Sequence, residues 1–144
     1  MPRLDAERID VWRRLCTVSV VIQRRIDREL EEEHGIPLAW YEVLAAVRSA
    51  GGSIRVHELA AALDEIPSSL SRRLDRMTDD GLVQRENTPS KDDRRAVTVH
   101  LTSEGRAVWR DATVTYRQMV QEHFARHLTE SDVHALQRVW VKMP

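Results

Sequence analysis

The 144-residue chain is poor in cysteine, glycine and proline, with one cysteine and five residues of each of the other two types. A single cysteine, Cys16, excludes an internal disulfide framework and fits the reducing cytoplasm of a bacterial or archaeal cell. No internal repeat and no low-complexity linker interrupts the sequence. The length suits one domain with a core of its own, spanning residues 1–144.

Long hydrophobic runs are also missing. No apolar stretch approaches the roughly 20 residues that a membrane-spanning helix needs. The start of the chain, residues 1–5, is flanked by acid and does not resemble a signal peptide. With 42% hydrophobic and 31% charged residues, the composition predicts a soluble, globular, cytoplasmic protein that does not enter a membrane.

The chain has no excess of positive charge, since its formal net charge is −1. Proteins that bind nucleic acid are usually basic, so bulk charge does not indicate such a partner. Any DNA binding must therefore depend on where individual arginines and lysines lie.

Motifs of catalysis are absent as well. There is no phosphate-binding loop, no glycine-rich dinucleotide loop, no nucleophile elbow and no paired-carboxylate pattern. His123 and His127 have a helical spacing that can bind zinc, but without a nearby glutamate motif or cysteine we interpret them as a solvated pair. Residues 31–33 form an exposed acidic helix end. We expect no enzyme, no metal and no cofactor.

Periodicity and breaker residues predict the order α-α-(β)-α-α-β-β-α-α. Two short helices in the middle are joined by three or four residues, which is the spacing of a helix-turn-helix. The predicted helices cover residues 6–33, 38–50, 56–63, 67–80, 102–127 and a last segment from 129, with a short strand at Ile54 and a hairpin at 82–85 and 96–101.

The second of those short helices begins at Pro67 and has one apolar face, formed by Leu70, Leu74 and Met77. The N-terminal residues of such a helix contact base edges in helix-turn-helix proteins. Its opposite face is polar, and Arg73 lies nearer the buried edge. The polar face carries Ser68, Arg72, Asp75, Arg76 and Asp79, flanked by Ser69 and Ser71. Ser68, Ser69 and Arg72 are the predicted base readers.

A polar turn downstream joins the two strands of the hairpin and has Arg94 and Arg95 at its tip. A hairpin with cationic side chains, placed directly after a short helix pair, is typical of a winged helix that reaches the minor groove and backbone of DNA.

These motifs resemble the MarR family (multiple antibiotic resistance regulators). The resemblance is carried by Leu59-Ala60, Ser71-Arg72-Arg73-Leu74-Asp75-Arg76-Met77, Asp80-Gly81-Leu82-Val83-Gln84-Arg85, Asp93-Arg94-Arg95 and Leu101-Thr102-Ser103-Glu104-Gly105. It implies a mainly α (α+β) fold, a winged helix-turn-helix with a small three-stranded sheet and flanking dimerisation helices. The DNA-binding lobe would span residues 53–106, with the helix-turn-helix at 56–80 and the wing at 82–101, and the dimerisation helices would be 6–34 and 102–143.

The resemblance also implies site residues. The recognition helix would contact the major groove through Ser68, Ser69, Ser71, Arg72, Arg73 and Arg76. In the wing, Asp93 would hold Arg95 by an ion pair, and Arg95 would enter the minor groove, where narrow A·T-rich sequence concentrates negative potential. Arg94 and Lys91 would contact phosphates.

The expected partners are double-stranded DNA, a second copy of the chain and a small aromatic effector that releases a repressor from its promoter. Large apolar residues on the terminal helices, among them Trp12 and Trp140, independently favour a homodimer. No effector-binding residue is assigned, since Trp12, Trp40 and Tyr41 also suit a core. Cys16 lies on the apolar stripe of the first helix and is interpreted as buried. A redox-sensing regulator acting through Cys16, and a winged-helix module that binds protein rather than DNA, remain alternatives.

Overall fold

The computed structural model describes residues 5–144; residues 1–4, which carry most of the expectation about a signal peptide, lie outside the described part. Within residues 5–144 none of the helices combines the length and apolar character needed to cross a bilayer. The elements are α1 Ala6–His34, α2 Leu38–Ser49, β1 Ser53–Arg55, α3 Val56–Ala62, α4 Pro67–Asp79, β2 Val83–Asn87, β3 Val97–Leu101, α5 Ser103–His123, a 3-10 helix Ala125–His127 and α6 Glu130–Trp140. The predicted mainly α winged-helix fold is confirmed.

Side-chain and glycine caps fix the two ends of α1. The Asp5 carboxylate accepts a hydrogen bond from the backbone N–H of Arg8 at 2.8 Å, an N-cap contact that satisfies a free donor of the first turn. Gly35 ends the helix in the left-handed region at φ 69°, as its position after the apolar stripe predicts. Asp27 then accepts from the N–H of Leu38 at 2.7 Å and so ties α1 to the start of α2.

The three strands form one antiparallel sheet in the order β1-β3-β2. Ser53 pairs with His100 at one end of the sheet, and Asn87 pairs with Val97 where the hairpin loop leaves it. His100 bridges all three strands, because its ring nitrogens contact the Ser53 hydroxyl at 2.6 Å and the Glu86 carboxylate at 3.1 Å. The hairpin is thus held at its base and projects its loop outward.

One hydrophobic core joins α1, α2, the helix pair, the sheet and α5. Helix α6 contributes no buried residue to it. The largest side chains that are fully buried are Leu30, Val43, Leu44, Val47, Leu59, Leu70, Leu74, Met77, Val83 and Val99.

The predicted helix over residues 102–127 is too long. Helix α5 ends at His123, because Phe124 leaves the helical region at φ −131° and ψ −66°. A single 3-10 turn follows, in which the N–H of His127 binds the carbonyl of Phe124 at 3.1 Å. No glycine or proline marks this break in the sequence, so periodicity alone runs through it.

The junction between the hairpin and α5 is unusually close. Thr102 caps α5 by accepting from the N–H of Gly105 at 2.9 Å, and its hydroxyl donates to the carbonyl of Gly81 at 2.6 Å. A Cβ at Gly105 would collide with the backbone carbonyl oxygen of Leu82. Only glycine therefore allows the first turn of α5 to pack directly on the base of the wing.

Candidate nucleic-acid interface

The apolar face of α4 fixes which side chains the helix presents to solvent. Leu70, Leu74 and Met77 are fully buried, as their spacing predicts. Pro67 occupies the first turn of the helix, and its fixed φ suits that position. Four of the predicted contact residues are exposed and Ser71 is half-buried; the exposed ones are Ser68, Ser69, Arg72 and Arg76. The N-terminal half of α4 therefore offers hydroxyl and guanidinium groups to a partner.

Arg73 differs from these residues because it turns back into the protein. Its Nη2 lies 2.9 Å from Oε1 of Glu65 in the α3–α4 turn, and the two side chains are 18% and 25% exposed. Burial raises the pKa of neighbouring Glu42, and the positive charge of Arg73 opposes that rise. Arg73, which the family resemblance places at the DNA, here joins the start of the recognition helix to the turn before it.

The wing loop is shaped by a serine and an aspartate. The N–H of Asp93 donates to the Ser90 hydroxyl at 3.1 Å, and the Asp93 carboxylate accepts from the backbone N–H of Arg95 at 2.9 Å. Side chains of Lys91, Arg94 and Arg95 are exposed.

The predicted ion pair between Asp93 and Arg95 is wrong for the described residues, since no carboxylate lies within 4.0 Å of the Arg95 guanidinium. The aspartate binds the backbone instead, because its short side chain reaches the backbone N–H two residues further along the chain. It orders the loop and leaves the arginine head free.

A groove of about 230 Å³ separates the recognition helix from the wing. Ser71 and Pro67 line its helix side, while Arg85, Asp93 and Arg95 line its wing side. The first turns of α4 and the arginine of the wing tip therefore face the same space, although 24 residues separate Ser71 from Arg95 in the chain.

The acids on α4 lie toward its other end. Asp75 is paired with Arg85 of β2 at 2.5 Å, so its charge is partly neutralised. Asp79 and Asp80 are exposed, about 15 Å along the helix axis from Ser69 at 1.5 Å per residue. Repulsion between these carboxylates and phosphates is thus confined to the part of the helix farthest from its N-terminus.

A second basic cleft, of about 360 Å³, lies between the start of α2 and the outer face of α4. Trp40 and Pro37 form one wall, and Arg72, Arg76 and Ser69 lie on the other. Sequence patterns do not predict that Trp40 lies at this surface, because its neighbours in space are about 30 positions further along the chain. Arg85 was missed for the same reason.

Other candidate sites do not form. Cys16 is exposed in the single chain, so its interpretation as a buried residue is wrong. His127 lies in the 3-10 turn rather than one helical turn after His123, and His123 contacts Arg25 at 3.2 Å. Among residues 5–144 no three histidine, cysteine or acidic side chains are grouped to hold a metal ion.

A helix-turn-helix with an arginine-bearing wing, joined to long terminal helices, defines the class of winged-helix DNA-binding proteins. Similarity to known proteins leads to the same class. A family model described as the MarR family matches residues 34–96. The transcriptional regulator PecS of Dickeya dadantii is 32% identical over 124 residues, covering 85% of this chain and 69% of PecS. The chain belongs to the MarR family.

Two further similarities bear on function. The transcriptional repressor MdtR of Bacillus subtilis is 27% identical over 115 residues, covering 80% of this chain and 72% of MdtR. The MarR-family regulator Sco3205 of Streptomyces coelicolor, solved in complex with DNA, has a TM-score of 0.84 at 28% identity, covering 97% of this chain and 88% of its own. The family consists of transcriptional regulators rather than enzymes, and the chain is a DNA-binding transcriptional regulator.

Proposed function

We propose that the chain is a homodimeric repressor that binds a pseudo-palindromic promoter site and is released by a small ligand. The observation that carries the proposal is the shared groove, in which Ser71 of α4 and Arg95 of the wing face one space. A protein with net charge −1 has little bulk attraction for DNA. These placed groups must then supply most of the affinity.

In the proposed complex Ser68, Ser69 and Arg72 read base edges in the major groove. Arginine makes a bidentate contact with guanine that contributes roughly 1–3 kcal/mol of discrimination, and serine donates or accepts. Ser71 and Arg76 contact the adjacent backbone. Because Arg73 is engaged with Glu65, we assign it to positioning α4 rather than to DNA.

The wing would act in the neighbouring minor groove. Arg95 enters the groove, attracted by its negative potential, and Arg94 and Lys91 neutralise phosphates. Asp93 contributes by fixing the backbone of the loop. Residues 53–106 would form the DNA-binding lobe, with the helix-turn-helix at 56–80 and the wing at 82–101.

Exposed apolar side chains on the terminal helices support the homodimer. Trp12 is 63% and Trp140 46% exposed in the single chain. A two-fold interface over residues 6–34 and 102–143 would cover them. It would also place two recognition helices about one turn of DNA apart, roughly 34–36 Å.

The test compares Arg95→Ala with Arg72→Ala on a promoter fragment selected from a random DNA pool. The wing variant should weaken binding to all sequences and lower the salt slope by about 1, while the helix variant should relax sequence preference. Arg117→Ala, an exposed arginine on α5, is the matched control. If both variants bound like the control, the interface would be wrongly assigned, and absence of any salt-dependent DNA affinity would favour the protein-interaction module.

An apolar cleft of about 280 Å³ between α1 and α5 is the candidate place for an aromatic effector. Tyr116 lines it with its ring stacked on Tyr41 at 4.6 Å between centroids, and burial raises the pKa of Tyr116. The other lining residues are Leu15, Val18, Ser19, Ile22, Gln23, Ile26, Val120 and Phe124.

Filling the cleft tests this assignment. Val120→Trp should abolish release of DNA by aromatic acids such as salicylate and leave DNA affinity in their absence unchanged. Release that survives the substitution would place the effector elsewhere. Release by peroxide that Cys16→Ser abolishes would instead support the redox alternative, which the exposure of Cys16 keeps in view.

A further inference from the structure

A cavity of about 370 Å³ lies where the end of α2, the turn into β1 and the first turns of α5 meet. It belongs neither to the groove beside the wing nor to the apolar cleft, with which it shares no residue. Its lining consists of Arg48, Gly51, Gly52, Arg106, Trp109 and Arg110. Three guanidinium groups thus converge on a space that the functions described above do not use.

The positive charge of this cavity is only partly compensated by acidic side chains. No acidic side chain lines it. Within residues 5–144 no carboxylate lies within 4.0 Å of Arg48 or Arg106, whereas Arg110 contacts the exposed Asp111 at 3.5 Å. Two or three like charges held together without a counter-charge repel one another, so binding an anion between them relieves that repulsion.

An aromatic ring orients Arg48, and a glycine makes room for Arg106. The Cζ of Arg48 lies 5.3 Å from the ring centroid of Trp109, which is a cation–π arrangement. The Nη2 of Arg106 lies 3.1 Å from the position that a Cβ would take at Gly52, where φ is 102°. Glycine at this turn therefore gives Arg106 room to approach the backbone beside the cavity.

The location separates the cavity from the proposed DNA surface. Gly52 lies at the base of the sheet, where its carbonyl accepts from the N–H of Leu101 at 3.1 Å. The wing loop leaves the sheet at Val97, four residues away along β3, which corresponds to about 13 Å at the rise of a strand. The cavity thus lies at the end of the sheet opposite to the wing loop.

We propose that this cavity binds a small dianion, either a phosphate group or a dicarboxylate. Arginine side chains match both groups, because their paired N–H donors form bidentate hydrogen bonds with two oxygens. One anion would contact Arg48 of α2 and Arg106 and Arg110 of α5 together. It would thereby connect the end of α2 to the start of α5, the first of the C-terminal helices in the proposed dimer interface.

Calorimetric titration of the full chain with inorganic phosphate and, separately, with succinate tests the proposal and identifies the anion class. Binding of phosphate alone indicates a phosphoryl ligand, and binding of succinate alone indicates a dicarboxylate. Arg48→Gln and Arg106→Gln should each lower the affinity for the probe about tenfold or more, since hydrogen bonds to charged groups are lost. Arg117→Gln on the same helix should leave the affinity within about twofold.

A second readout guards against variants that disturb folding. Trp109 is one of four tryptophans, and the indole N–H resonance that disappears in Trp109→Phe should shift on addition of the probe in the unmutated chain. Arg106→Lys keeps the positive charge but loses the paired N–H donors of the guanidinium group, and it should retain part of the affinity. The proposal is overturned if neither probe shifts this resonance or produces heat at about 10 mM, or if Arg48→Gln and Arg106→Gln weaken promoter binding as Arg95→Ala does and leave the probes unaffected.

Discussion

The DNA-binding lobe and the terminal helices bury very different shares of their apolar surface within one chain. In α4 the three inward side chains Leu70, Leu74 and Met77 are completely buried. Helix α6 has no buried residue at all, and Val141 just beyond it is 86% exposed. The lobe has the packing of a complete domain. The terminal helices instead leave apolar side chains exposed, which supports the proposed second copy of the chain.

The largest effect is expected from a charge placed on the exposed apolar stripe of α1, which the proposed second copy would cover. Trp12→Glu should convert the proposed dimer to monomers, because an unpaired carboxylate is costly to bury in an apolar interface. Sedimentation velocity measures the change in mass. Affinity for a two-half-site promoter should fall about 10²–10⁴-fold as bivalent binding is lost. Trp12→Phe is the control and should remain dimeric; a dimeric Trp12→Glu protein would contradict the interface.

Truncating the core of the lobe should affect stability without changing assembly. Leu74→Ala is expected to lower the free energy of unfolding by about 2–5 kcal/mol, since it removes a fully buried side chain and leaves a cavity. Urea titration followed by circular dichroism measures the loss. The neighbouring Arg72→Ala, at an exposed position, should change stability by less than about 0.5 kcal/mol. A comparable loss at both positions would show that the lobe is less well packed than the structure indicates.

The smallest effect is expected at the start of α6, where packing contributes little and capping contributes most. Thr129 and Asp132 form a capping box, with the N–H of Thr129 donating to the Asp132 carboxylate at 2.9 Å and the N–H of Asp132 donating to the Thr129 hydroxyl at 3.1 Å. Thr129→Ala should cost about 0.5–2 kcal/mol.

The pH dependence of that cap has a definite sign. Hydrogen bonds from Thr129, the backbone N–H first, hold the pKa of Asp132 below its ordinary value of 3.8. Because the folded pKa is the lower one, the stabilisation is present above the ordinary value and is lost as pH falls through the lowered one. Thermal melts between about pH 5 and 2 should show this loss in the unmutated chain and less of it in Asp132→Asn, which has no carboxylate to titrate. Equal losses in both would contradict the capping role.

Sequence patterns predicted most of the fold because its elements carry local signals. The left-handed Gly35, the first-turn Pro67 and the capping Thr129 each mark a helix boundary through their own backbone or side-chain chemistry. The end of α5 was missed since the turn at Phe124 has no such signal. Periodicity also does not indicate whether the apolar stripe of α1 packs against its own chain or against another one. For this reason Cys16, which lies on that stripe, was wrongly expected to be buried.

The candidate site was predictable only in its outline. Spacing identifies which residues of α4 and the wing face outward, because helix and strand periods are fixed. The partner of each charge depends on tertiary contacts that spacing does not encode. Glu65 engages Arg73, and the backbone of Arg95 rather than its guanidinium engages Asp93. Both contacts determine which arginine side chains are free to bind DNA.

The contact between Gly105 and the Leu82 carbonyl has a mechanical consequence. With no side chain in between, the first turn of α5 and the base of the wing have no layer that can slide or repack. A tilt of α5 would therefore carry the base of the hairpin with it. In the proposed dimer, the spacing of the two wings on a promoter would then depend on the angle between the two copies of α5.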